Sequence, residues 1–206
     1  MSPSLPLLVF VSIFAPKEQG GIRAFHLDPA AGTLVAAQET SGIPPPFFLA
    51  LSPDHKTLYS IWAEKFGAPD DEEVAAWRIV DRDGRLEPLN RQPSPTLPAG
   101  FTGDTKTADP RITPDGRFLY GTNRGHDSIA IFRIGDDGRL DTVDIVPSLG
   151  KGPQNLVITP DGSLLLCANM PGNSLAVFKI DAASGRLTPV GEPVAIPSPA
   201  CITIVP

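Results

Sequence analysis

The sequence is poor in most of the residues that reactive, metal-binding or membrane-spanning chains depend on. Its 206 residues include two Cys, three His, two Trp and two Met. Neither Cys167 nor Cys201 has a Cys or His at ligand spacing, which argues against zinc-finger and CxxC redox chemistry. Both sit in short apolar runs and are expected to be core thiols. No stretch approaches the ~20 apolar residues of a membrane helix, and no segment sustains apolar residues at i, i+3, i+4, so helix should be nearly absent. Positive charge is also lacking: 17 basic against 23 acidic residues leave −6. The basic residues are scattered, which disfavours nucleic acid as a partner. The run Leu7 to Ser12 is short and has no Lys or Arg before it, so it reads as a strand rather than a secretory leader. A soluble, cytoplasmic chain with no membrane partner is the expectation. There is no phosphate-cradling Gly loop, nucleophile elbow or zinc spacing, so no metal and no cofactor is expected.

What the sequence has in quantity is turn residues, 24 Pro and 19 Gly, set at regular intervals. Three stretches share one spelling: Pro46 to Pro53, Pro153 to Pro160 and Pro199 to Pro206, each with aliphatic residues three and five places after the first Pro. A fourth, Thr107 to Pro114, keeps Ile112 but has Pro110 in the first aliphatic place. Asp54-His55, Asp115-Gly116 and Asp161-Gly162 follow three of them, then Thr57 to Ile61, Arg117 to Gly121 and Ser163 to Cys167. Pro-Asp-Gly between two extended runs is hairpin chemistry, because Pro fixes φ and Gly accepts a positive one. Runs alternating with period two come next, such as Ser128 to Ile134, and then a Gly-x-Leu landmark at Leu34, Leu86, Leu140 and Leu187.

Four antiparallel strands per repeat at this period predict an all-β fold, a β-propeller of four blades in a single domain. Blade 2 covers residues 46–91, blade 3 residues 107–147 and blade 4 residues 153–195. Blade 1 covers 7–40 and lacks an innermost strand, while 200–205 is an innermost strand without a blade. The expectation is that 200–205 completes blade 1 and closes the ring.

The segment Pro114 to Phe132, with Asn123-Arg124-Gly125-His126-Asp127-Ser128 inside it, resembles the propeller lactonases. These include the cycloisomerase-type 6-phosphogluconolactonases and the 3-carboxy-cis,cis-muconate lactonising enzymes. The ending Pro197 to Ile202 is similar to that family's closing strand. The resemblance implies hydrolysis of a sugar lactone or action on a related carboxylated ring. It also implies seven blades, whereas this chain spells four. Residues 7–91 resemble the first two blades and 107–206 the last two, with the join in Gln92 to Thr107. The middle blades supply a catalytic His and its acidic partner in that family, and nothing here matches them. Only Arg124 carries over. Three arrangements fit the short count: a closed four-bladed ring, a homodimer pooling its blades into eight, or a shortened relic of a larger enzyme.

Lactone hydrolysis needs a group to activate water and donors for the oxyanion. Arg124 is the candidate to bind a substrate carboxylate or phosphate, or else a loop residue paired to Asp127. His126 is the candidate catalytic base, or else a residue bonded within its own turn. Arg111 and Lys151, each at the approach to an innermost strand, are candidates for a positive rim around an anionic small molecule. Asp54, Asp115 and Asp161 occupy equivalent turns, which accounts for them without a metal. A non-catalytic propeller scaffold that binds a small anion or a protein is the alternative to an enzyme.

Overall fold

A computed structural model describes residues 6–15, 19–62, 73–89 and 94–205. Among these residues there is no helix, and hence none long and apolar enough to cross a membrane. The strands fall into four antiparallel sheets, each made of consecutive strands, as hairpin-joined repeats dictate. The first holds β1 (Leu7–Ile13), β2 (Gly21–Asp28) and β3 (Thr33–Ser41). The second holds β4 (Pro46–Leu51), β5 (Thr57–Trp62), β6 (Glu73–Ile79), β7 (Leu86–Pro88) and β8 (Ser94–Pro95). The third holds β9 (Lys106–Thr107), β10 (Arg111–Ile112), β11 (Phe118–Arg124), β12 (Ser128–Ile134) and β13 (Leu140–Pro147). The fourth holds β14 (Pro153–Ile158), β15 (Leu164–Asn169), β16 (Ser174–Ile180), β17 (Leu187–Pro189) and β18 (Val194–Ala195).

Each five-stranded sheet is a four-stranded blade with one strand in two pieces. In the second and fourth sheets the outermost strand is split, since β7 and β8 both pair β6, and β17 and β18 both pair β16. In the third the innermost strand is split, since β9 and β10 both pair β11. Pro110 lies between those pieces; without an N–H it cannot continue the ladder. Part of the join expected between 92 and 107 is therefore strand: β8 finishes the second sheet and β9 starts the third. The expected end of the second repeat, 90–91, lies outside the described residues.

Neighbouring sheets pack face to face in chain order, so a middle sheet buries both faces. Phe118 and Tyr120 join Leu165, Cys167 and Phe178 in one cluster, while Leu119 and Phe132 join Tyr59 and Ile61 in another. Ile22, Leu58 and Trp77 hold the first sheet to the second. Each large side chain buried this way is worth about 1.5–3 kcal/mol. Two tyrosines pin their seams directly: Tyr59 donates its hydroxyl to Gly138 O at 3.0 Å and Tyr120 to Gly185 O at 2.9 Å. Cys167 is buried, and burial pushes its thiol up to about 12. Cys201 is exposed, so only one of the two expected core thiols is one.

The first sheet has three strands, against the expected four, and residues 201–205 join no ladder. They lie instead against the fourth sheet, with Ile202 N–H donating to Asn155 Oδ1 at 2.8 Å. That bond repeats the one by which Leu156 N–H of the fourth sheet reaches Asp109 Oδ2 of the third at 2.9 Å. The tail thus stands where the innermost strand of a following sheet would stand. The physical reason is that Asn155 and Asn173 of the fourth sheet accept the tail's N–H groups there, so the tail stays on that sheet rather than on β1.

Candidate functional site

The seam between the third and fourth sheets opens at one end into a cleft of about 380 Å³. Arg124, Lys106, Lys151, Gln154, Asp104 and Asp127 are among its lining residues. Arg124 is the last residue of β11 and pairs across the ladder with Lys106 of β9. Its Nε donates to Lys106 O at 3.3 Å and its Nη1 to Gln154 Oε1 at 3.0 Å, which aims the guanidinium across the seam. Arg124 is therefore held by Lys106 and Gln154, where the sequence had offered Asp127 as an alternative partner.

Asp127 is part of the scaffold of the cleft. It sits in the left-handed region with φ of 57°. Its Oδ1 accepts from Gly152 N–H at 2.7 Å and Gly125 N–H at 3.3 Å, tying the β11–β12 turn to the chain that leads into β14. On the other side, Lys151 O accepts from Gly172 N–H at 3.0 Å. Lys151 is thereby fixed at the backbone while its side chain reaches solvent. Gly125 has φ of 104°, and a Cβ there would stand 2.0 Å from Asp104 O, so only glycine lets the 104 segment close the cleft wall.

The lining carries three cations, Lys106, Arg124 and Lys151, against two carboxylates, Asp104 and Asp127. In a chain of net charge −6 this lining has one more cation than carboxylate.

Of the four residues singled out from sequence, Arg124 and Lys151 come together in this cleft. His126 does not line it. Its Nδ1 lies 2.7 Å from Ser128 Oγ, and its ring meets Phe101 edge-on at 4.8 Å. Arg111 lies in a separate groove with Val157, Ile158 and the tail residues Ile202 and Ile204. Its Nε donates to Leu156 O at 2.8 Å and its Nη2 to Asp109 Oδ2 at 3.0 Å. Asp109 is buried there, and burial raises its carboxyl despite the Leu156 N–H and Arg111 that favour the charged form. Lys106, Gln154 and Asp104 were missed by sequence reasoning. Lys106 belongs to the site through its register opposite Arg124, which no local signal reveals.

Asp54, Asp115 and Asp161 are turn residues. Each accepts a hydroxyl, from Ser52, Thr113 and Thr159 at 2.6, 2.6 and 2.5 Å, and the N–H two residues on. His55 is exposed in its turn with φ of 59°. His26 is tied to the second sheet through Arg82 O at 3.0 Å.

Four antiparallel sheets packed face to face in chain order, with a cleft at the seam of the last two, define a β-propeller fold. The sequence pattern of the family described as "Lactonase, 7-bladed beta-propeller" matches residues 8–96 and 71–204, and the chain belongs to that family. A candidate 6-phosphogluconolactonase of Bacteroides uniformis superposes with a TM-score of 0.80 at 30% identity, over 96% of this chain and 54% of its own. Another of Bacteroides fragilis gives 0.72 at 26%, over 99% of this chain and 59% of its own. An uncharacterised protein of Staphylococcus saprophyticus is 53% identical over 64 residues, 31% of this chain and 19% of that one. The chain thus spans little more than half the length of the solved structures it matches.

Proposed function

We propose that the cleft takes a sugar lactone bearing a phosphate or carboxylate, 6-phosphogluconolactone being the type substrate, and that the protein hydrolyses its ring ester. Arg124 and Lys151 bind the anion, with Lys106 adding to the field. Water adds to the lactone carbonyl, the tetrahedral oxyanion is stabilised by the cationic groups, and the ring C–O bond breaks. The ring oxygen leaves as a hydroxyl and the carbonyl carbon becomes a carboxylate. In this reading Asp104, in the same lining, takes the proton from water and returns it to the ring oxygen as that bond breaks. His126 acts as a positioning residue, holding the turn through Ser128 and backing Phe101.

The observation that carries this reading is the gathering of Arg124, Lys151 and Lys106 at one seam of an acidic lactonase-family chain. The test is hydrolysis of 6-phosphogluconolactone by the chain and by Arg124→Ala. Loss of a charge-assisted contact should lower kcat/KM about 10- to 100-fold. Equal turnover by both proteins would end the assignment of Arg124.

The engagement of His126 with Ser128, away from the cleft, favours a second reading: a propeller that binds the anion without turning it over. Binding of 6-phosphogluconate with no lactone hydrolysis above the spontaneous rate would select it.

A further inference from the structure

The three seams between sheets reuse the same parts, and one half of that arrangement is present without its complement. At each seam a turn glycine of the later sheet lies on the earlier one. A Cβ on Gly84 would stand 2.5 Å from Ala24 Cβ, on Gly138 2.9 Å from Thr57 Oγ1, and on Gly185 2.3 Å from Phe118. Gly32 is the fourth member of this set, and nothing lies within 4 Å of the same point there. Likewise Leu86 and Leu140 are 8% and 7% exposed, while Leu34, the same landmark in the first sheet, is 57% exposed. Along β1, Leu8 and Phe10 turn towards Gly84 of the second sheet. Leu7, Val9, Val11 and Ile13 alternate to the opposite face, where Leu7 and Val11 are 55% and 43% exposed. The first sheet is therefore built as the later half of a seam and has no earlier half against it.

The earlier half stands at the other end of the molecule. On β15, Leu165 and Cys167 face the third sheet, so Leu164 and Leu166 alternate outward. Beside them the tail is already docked in the place of an innermost strand. Ile196 N–H donates to Asn173 O at 3.0 Å and Ser198 N–H to Asn173 Oδ1 at 2.9 Å. These match the bonds from Ser148 N–H to Asp127 O and from Gly152 N–H to Asp127 Oδ1 one sheet earlier. Among the described residues the tail pairs with no strand, and β1 pairs with β2 alone. Two open edges of one repeat, spelled to match each other, sit at opposite ends of the same arc.

We propose that this chain assembles by exchanging the strand with a second copy. Residues 200–205 of each protomer lie along β1 of the other, completing both first sheets and closing one ring of eight. Such a contact is made twice by a two-fold axis, so it closes without open ends. The angles favour it: neighbouring sheets stand about 51° apart in a ring of seven and about 45° in a ring of eight, whereas a ring of four would need about 90°. The register follows from the fourth sheet, where Asn155 pairs Ala168, Leu156 pairs Cys167 and Ile158 pairs Leu165. The same alignment sets Cys201 opposite Ser12 of the partner subunit, Ile202 opposite Val11 and Ile204 opposite Val9.

The full chain should scatter light as twice its 21.8 kDa, and the mass should persist on dilution. In Ser12→Cys, oxidation should join Cys201 to the new thiol, because opposed ladder residues lie at Cα distances of about 4.5–5.5 Å, within disulfide reach. The product expected on a non-reducing gel is a covalent dimer that disappears with Cys201→Ser. A mass of one chain for the unmodified protein, or a disulfide formed within a single chain, overturns the proposal.

Discussion

Two equivalent turns, Asn123 to Ser128 in the third sheet and Asn169 to Ser174 in the fourth, separate what builds this fold from what the fold carries. Their shared positions do the same structural work. Asn123 Nδ2 donates to Thr96 O at 2.7 Å and Ser128 Oγ at 3.0 Å; Asn169 Nδ2 donates to Ser148 O at 3.1 Å and Ser174 Oγ at 3.4 Å. Asp127 and Asn173 both take a positive φ, 57° and 51°, and both accept a backbone N–H from the next inner-strand approach. Apart from this Asp-for-Asn exchange, the positions that differ are Arg124 against Met170, Gly125 against Pro171 and His126 against Gly172. A residue that recurs in both turns is explained by the blade. Arg124 does not recur, and it is the one that reaches across the seam into the cleft.

The comparison can be broken at graded cost. Gly125→Ala should be the most damaging change, since its Cβ would meet Asp104 O at 2.0 Å on a φ of 104°. A loss of about 2–4 kcal/mol is expected in urea unfolding. Asp127→Ala, which orphans the N–H groups of Gly152 and Gly125, should cost about 2 kcal/mol, and Asp127→Asn less than about 1 because the fourth sheet already uses Asn173 there. If Asn is no better than Ala, the equivalence of the two turns fails. Tyr120→Phe removes the bond to Gly185 O and should cost about 1 kcal/mol.

The smallest effect belongs to the hairpin carboxylates. The Thr159 hydroxyl and Ser163 N–H hold Asp161 down at about 2, and Ser52 lowers Asp54. For Asp115, burial pushes upward but Thr113 and Arg117 outweigh it. A carboxyl lowered in the fold stabilises above its unfolded value near 3.8, and that stability goes as pH falls from there towards 2. Asp161→Asn should flatten this acid limb slightly by lowering the melting temperature at neutral pH, and should leave it unchanged near pH 2, where the wild-type carboxyl is itself becoming neutral.

The repeat was legible because the blades spell their own hairpins: Pro-Asp-Gly in the third and fourth, and the alternating third strand and Gly-x-Leu start in all four, are local instructions. The all-β propeller fold followed from them. Two facts about register were not legible. One is the ladder that sets Lys106 beside Arg124; the other is the bonding that leaves residues 201–205 on the fourth sheet instead of on β1. Both depend on hydrogen bonds between segments far apart in the chain, which no single segment records. Arg111 and His126 were drawn into the predicted site by charge and motif. Their hydrogen bonds to Leu156 O and Asp109, and to Ser128, place them outside the cleft.

The most direct trial of the account replaces Arg124 by the residue its own repeat uses, Arg124→Met, and measures 6-phosphogluconate binding by calorimetry beside a thermal melt. Binding should weaken about 10-fold or more while the melt barely moves, because only a non-repeating side chain has changed. Unchanged affinity, or an equal loss of affinity and stability, would show that Arg124 belongs to the blade and that the cleft is not the site.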